Sequence, residues 1–233
     1  MNNNLLQLKV KERLNKIDSN DYDNIEPWKI IEAFNKSQLE WVRRQVFGNN
    51  QHKEGDESSK MLIDDLQPLI NNKKLSSTKY SKYYETELIP TDYLYFKRIS
   101  ADGKTNCCNS RKLAIYLALQ ADVDNLLLDK LKSPSFEWGE TFSVFGANRL
   151  KIYTNDEFDL ENIILTYYRK PKNIEIVGVT NPSTGVAYAV NVDCEFKDDI
   201  AELIVDDCVA ILAGDISDMN QYLRNKQNQI SNN

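Results

Sequence analysis

The chain's single histidine, His52, is the first residue to consider for acid–base or metal chemistry, because imidazole titrates near neutral pH and ligates metals. It stands in GNNQHKEGDESSK, residues 48–60, beside Glu54, Asp56 and Glu57, a donor set that makes a metal site arithmetically possible. The same composition predicts an exposed polar loop whose acids keep it solvated, with nothing nearby to hold a Ser-His-Asp or Cys-His triad. The acid pairs Asp64/Asp65, Asp198/Asp199 and Asp206/Asp207 have the chemistry of a general acid and base. Each, however, lies on or beside an amphipathic helix, where a charge on the outward face is the simpler expectation. Cys107, Cys108, Cys194 and Cys208 follow none of the spacings of a tetrahedral zinc site, and a bridge between the adjacent pair would be strained. They are expected to be reduced thiols that fill core. Phosphate cradles of the G-x-x-x-x-G-K or G-x-G-x-x-G type do not occur. No catalytic residue, cofactor or metal is therefore expected, and the chain is not expected to be an enzyme.

A second chemistry-bearing stretch is LTYYRKPKNIEI, residues 165–176, which sets Arg169, Lys170 and Lys172 around Pro171. Three cations suit a phosphate, but proline has no amide hydrogen for a strand ladder and belongs at a strand end or sheet edge. Lysines there discourage sheet-to-sheet aggregation. The edge, or an interface with another protein, is the favoured reading of these three side chains.

The elements that must position such residues follow from periodicity. Leu6, Val10, Leu14 and Ile17 recur on one face and predict a helix over 5–17. Pro27 at a first helical position and Gly48 beyond the end frame a helix over 27–47. Its stripe is taken as Trp28, Ile31, Phe34, Trp41 and Val42, with the two tryptophans either core or an interface with another subunit. A short helix is expected over 59–70. Period-two patterning then predicts strands over 83–89 and 93–99, an Asp102-Gly103 hairpin, and a return strand over 111–120. A short helix over 122–131, a hairpin of 140–145 with 149–153, and strands over 163–169, 174–177 and 186–192 complete the middle. A long amphipathic helix over 197–224 closes the chain, with Tyr222 and Leu223 near its end and a polar tail, 225–233, beyond.

The expected fold is α+β: N-terminal helices and a long C-terminal helix packed with a central antiparallel β-sheet or small β-sandwich. The helical start covers 1–72, the β-rich region 73–192, and the last helix with its tail 193–233, as one integrated domain. With 233 residues, 41% hydrophobic, the chain can bury a sizeable core. A net charge of -6 argues against a dedicated nucleic-acid grip, which works by neutralising phosphates. No apolar run approaches a membrane span and no secretory segment opens the chain, so a soluble intracellular protein is expected.

Three segments carry a resemblance. The helix PWKIIEAFNKSQLEW, residues 27–41, the strand LTYYRKP, residues 165–171, and DCEF, residues 193–196, followed by IAELIVDDCV, residues 200–209, are in this order similar to the head-to-tail connector or neck ring proteins of tailed bacteriophages, especially the crAss-like group. The similarity runs from about residue 25 to residue 222. It implies a virion structural protein without cofactor: about twelve copies in a ring beneath the portal, extending the channel through which genomic DNA passes without sequence-specific binding. The implied partners are copies of itself, the portal protein and other neck or tail proteins, with no membrane. The implied place is the virion neck, with host cytoplasm during assembly. Trp28, Trp41, Arg169, Lys170, Lys172, Tyr222 and Leu223 are the expected interface residues. The alternative is a nucleic-acid- or scaffold-binding assembly module without catalysis.

Overall fold

The computed structural model describes residues 1–14, 25–47, 64–105, 108–182, 184–215, 223 and 227. The fold is α+β, and the chain divides into two compact units: residues 69–170 form one, and residues 1–68 with 171–233 form the other. The first is therefore an insertion in the second.

The helical unit is built on three helices. In α1 (Asn3–Leu14) the buried positions are Asn3, Leu6, Val10 and Leu14, spaced by three and four. In α2 (Pro27–Phe47) the buried stripe includes Ile30, Ile31, Phe34, Gln38, Trp41, Val42 and Gln45. Trp28 is not on it: 13 positions separate it from Trp41, a rotation of roughly 220° at about 100° per residue, so it lies across the helix. The last helix of this unit, Asp198–Asp215, packs on both α1 and α2 with Ile200, Ile204, Cys208 and Leu212 buried. The expected extension of that helix to residue 224 lies largely outside the described residues, as do residues 59–63 of the helix expected over 59–70, whose last residue, Ile70, is instead the first of a strand. What is described of the latter is helical at 64–66, followed by one 3-10 turn, Gln67–Leu69.

The inserted unit is one eight-stranded sheet. Its strands are β1 (Ile70–Lys74), β2 (Ser77–Lys79), β3 (Tyr83–Thr86), β4 (Tyr93–Thr105), β5 (Cys108–Leu117), β6 (Glu140–Gly146), β7 (Arg149–Tyr153) and β8 (Asp159–Arg169), in the order β1-β8-β4-β5-β6-β7-β3-β2. All neighbours are antiparallel except β5 and β6, which run parallel and are joined by an excursion holding a 3-10 turn and the short helix α3 (Val123–Leu128). The closing helix Asp198–Asp215 is α4. Among the described residues no helix is long and apolar enough to cross a membrane.

The two outermost strands, β1 and β2, are consecutive in the chain and separated only by Leu75 and Ser76. The sheet must curl until its edges meet. At the joint the Leu75 amide donates to the Ile163 carbonyl of β8 at 2.9 Å, and the Glu87 amide, just after β3, donates to the Ser76 carbonyl at 2.8 Å. Asp159, at the start of β8, accepts from Lys79 Nζ of β2 at 2.6 Å and from the Tyr84 hydroxyl of β3 at 2.8 Å. The Lys79 and Tyr84 hydrogen bonds hold the Asp159 carboxyl below its ordinary value. Inside the curl lie Leu75, Ile99, Leu113, Leu150, Ile152, Ile163, Leu165 and Tyr167. On the other face Val123, Phe142, Val144 and Tyr153 form a smaller cluster, with Leu126 and Leu127 of α3 against it.

Three expectations are corrected. The Asp102-Gly103 pair is not a turn; β4 continues through it to Thr105. Gly103 is paired on both sides, with Arg111 and with Leu160, and the Leu113 side chain occupies the space of its missing Cβ, with Leu113 Cδ1 2.9 Å from where that carbon would be. The segment of residues 165–169 is not a sheet edge, because β8 lies between β1 and β4. Its buried run Leu165, Thr166, Tyr167 and Tyr168 fits a strand covered from both faces. The strands expected over 174–177 and 186–192 are reduced to two isolated bridges, Glu175 with Val192 and Thr180 with Ala187. The hairpin of β6 and β7 is as expected: Ala147 and Asn148 both take positive φ, 49° and 58°, as a two-residue hairpin turn of matching twist requires.

Gly103→Val should lower the unfolding free energy by about 2 kcal/mol, since a β-branched group would overpack against Leu113; Gly146→Ala, with open space at its Cβ, should cost under about 1 kcal/mol in the same urea titration. Asp159 supplies a pH test. Its carboxyl is more acidic folded than unfolded, so its contribution is present above about pH 4 and is lost as pH falls through the lower folded value. Urea midpoints of the Asp159→Asn variant should fall less steeply than those of the natural chain between about pH 4 and pH 2.

Candidate functional site

Most members of the acid pairs are engaged in ion pairs. Asp206 accepts from Arg13 of α1 at 2.7 Å, and Arg13 also pairs with Glu202, which binds Lys9. Asp207, one position on and 4% exposed, pairs instead with Arg44 of α2. Adjacent carboxylates on α4 thus reach two different helices, which follows from the roughly 100° step between helical neighbours. Asp64 and Asp65 share Lys197 Nζ, at 3.3 Å for Asp65, and the Asp64 hydrogen bond is the first reason the Lys197 ammonium is held above its ordinary value. Asp198 and Asp199 stand in the first turn of α4, where carboxylates complement the helix dipole.

Cys208 is fully buried, and burial, followed by the neighbouring Asp207, pushes its thiol far up. Burial likewise raises Cys194. Neither is a thiolate nucleophile at neutral pH. His52 and Cys107 lie outside the described residues. Among the described residues no group of three or more His, Cys, Asp and Glu side chains is placed to hold a metal ion.

Clefts open on the surface of each unit among the described residues. One, ≈ 760 Å³, lies at one end of the sheet beside Ile89, Tyr93, Phe145, Asn148 and Lys170. Its phenol, Tyr93, is pushed to about 12 by burial and stays protonated at neutral pH. A second, ≈ 380 Å³, lies in the β5–β6 excursion between Tyr116, Leu126, Leu131 and Trp138, with Lys130, Lys132 and Glu140 around it. A third, ≈ 260 Å³, lies between Trp28 and Lys36 of α2 and Ile211 and Leu212 of α4.

The expected interface residues are scattered. Trp41 packs inside the helical unit, edge-on to Phe196 with ring centroids 5.2 Å apart. Trp28 is half-buried at its cleft, donating Nε1 to Glu26 at 2.5 Å. Arg169 and Lys170 end the sheet unit, while Pro171 and Lys172 begin the return to the helical one. The Arg169 guanidinium donates to the Lys170 carbonyl at 3.2 Å, the Lys170 amide donates to the Asp92 carbonyl at 2.7 Å, and the Lys172 amide donates to Glu195 at 3.0 Å. Their backbone is fixed in place. Leu223 is exposed, and Tyr222 lies outside the described residues.

The chain matches no family model and no curated protein.

Periodicity did not single out the most exposed apolar surface. Leu117 at the end of β5, and Leu119, Leu128, Leu131 and Trp138 between β5 and β6, are 41%, 71%, 82%, 88% and 76% exposed. A run of leucines too long for one half-buried strand and a helix of six residues was the available signal. Val177, Val186 and Val190, at 52%, 66% and 63%, form a second such group in the helical unit. Single exposed apolar side chains also stand elsewhere, among them Leu8 of α1, Phe47 of α2 and Leu88.

Removing one partner of a buried ion pair strands the other, so Arg44→Met should destabilise the chain by about 3 kcal/mol. Arg44→Met with Asp207→Leu should recover most of that loss in chemical denaturation, whereas a catalytic Asp207 would show no such rescue of function.

Proposed function

We propose that the chain is a virion structural protein, a head-to-tail connector or neck ring subunit of a tailed bacteriophage. Several copies would surround the DNA channel, joined to the portal on one side and to other neck or tail proteins on the other. The observation that carries this reading is the contrast between the two kinds of residue just described. Paired carboxylates hold helices together, while large apolar side chains stand exposed at many places, among them the β5–β6 excursion and residues 177–190. That is the economy of a protein that works by fitting surfaces. The resemblance of residues 27–41, 165–171 and 193–209 to neck ring proteins points the same way. A net charge of -6 suits the wall of a DNA conduit, because a wall that neutralised phosphates would retard passage.

Mass spectrometry of purified particles tests the proposal: the chain should be present in fixed stoichiometry with the portal, and imaging of the neck should place it there. Absence from mature particles overturns it. Steep salt-dependent retention of the free protein on DNA would favour the nucleic-acid-binding alternative instead.

A further inference from the structure

We propose that the exposed hairpin formed by residues 176–182 and 184–192 is a docking arm that seats in the β5–β6 excursion of a second copy of this chain. This deepens the ring reading and rests on it. Charged residues make up 27% of the chain, yet residues 176–192 contain no Asp, Glu, Lys or Arg. A solvated loop of that length would be expected to carry several. Exposure of Val177, Val186 and Val190 rules out a core explanation for the missing charges.

The root of the arm is fixed from several directions. Glu175 and Val192 exchange backbone hydrogen bonds at 3.1 and 3.0 Å, and the Asn3 side-chain amide donates to both of their carbonyls, at 2.9 and 3.0 Å. Asn35 accepts from the Ile174 amide at 2.8 Å, and Asn191 accepts from the Val177 amide at 2.9 Å. Beyond the root the strands are tied by Gly178 to Tyr188, Tyr188 to Val179 and Asn181 to Val186, at 2.9 to 3.2 Å. A hairpin held at its base and bare along its length is preorganised for contact, so docking it costs little ordering entropy.

The occupant follows from the complementary feature on the same chain. The excursion offers an apolar cleft of ≈ 380 Å³ between Tyr116, Leu131 and Trp138, rimmed by Lys130, Lys132 and Glu140. The first charged residues on either side of the arm are both acids, Glu175 and Asp193, opposite in sign to Lys130 and to Lys132, which also lies 4.0 Å from Asp129 of its own chain. Because the donating and accepting surfaces differ, the contact is head-to-tail: each copy gives an arm and receives one. Such a contact propagates into a ring or an open helix and cannot end at a symmetric pair.

Sedimentation velocity of the full chain tests this. The natural chain should form assemblies beyond the dimer as concentration rises. Val186→Asp with Val190→Asp in the arm, or Leu131→Asp in the cleft, should each weaken self-association about a hundredfold while leaving thermal unfolding unchanged, since all three side chains are exposed. Mixing the arm variant with the cleft variant should restore one junction and give dimers but nothing larger. Cross-linking checks the contact independently of those variants: a Val186→Cys chain mixed with a Leu131→Cys chain should yield the mixed disulfide. A natural chain monomeric at every concentration, variants that associate like it, or cross-links between like chains alone would each overturn the arm-to-cleft contact. The neck reading would then stand or fall on particle composition alone; conversely, arm-dependent assembly of a chain absent from particles would sink that reading and leave this one.

Discussion

Two residues, Leu75 and Ser76, constrain the whole inserted unit. They join the strands at opposite edges of an eight-stranded sheet, and a link that short leaves the sheet no choice but to curl. The consequences spread inward. Leu75 itself is buried in the core that the curl encloses, beside Ile163, Leu165 and Leu150, and its amide is bonded to β8. Asp159 stands at the joint with one oxygen shared by Lys79 and Tyr84, a charge-assisted pairing that ties three strands from the two margins of the sheet. Edges brought together in this way are less available for pairing with foreign strands.

The helical unit solves a different problem, that of placing acids on a central helix without leaving them unpaired. Glu202 and Asp206 turn to Lys9 and Arg13 of α1, and Asp207 turns to Arg44 of α2. Asparagines do the equivalent work for backbone. Asn3 and Asn35 present amides to the extended segment that follows the sheet, standing in for the strand partners that segment lacks. Glu202, Asp206 and Asp207 are thereby engaged in ion pairs between helices.

Much of this was legible in residue order where one signal governed. Pro27, the following apolar stripe and Gly48 frame α2, and its bounds are those of the expectation. The β6–β7 hairpin is equally local. Pairings decided by distant chain were not legible. Asp102-Gly103 has the composition of a turn, but β8 pairs along β4 through that point, and only the opposing Leu113 shows why glycine is needed. The parallel match of β5 with β6 depends on the length of the intervening excursion, and the interior position of β8 depends on β1, which the patterning did not separate from a helix. For the candidate site, residue type misled: tryptophan drew notice to Trp41, which is core, while the exposed leucines of the excursion read as ordinary strand and helix.

Insertion of the sheet between the two halves of the helical unit fixes an order of synthesis. Ile70 and Tyr168 face each other across β1 and β8, so the inserted segment leaves and rejoins its host at neighbouring points. A ribosome has delivered all eight strands before it reaches Asp198, and until α4 emerges the faces of α1 and α2 that it covers stay bare. Premature termination anywhere in the last helix would therefore spare the sheet and strand the helices, making translation of the final segment the checkpoint for a finished helical unit.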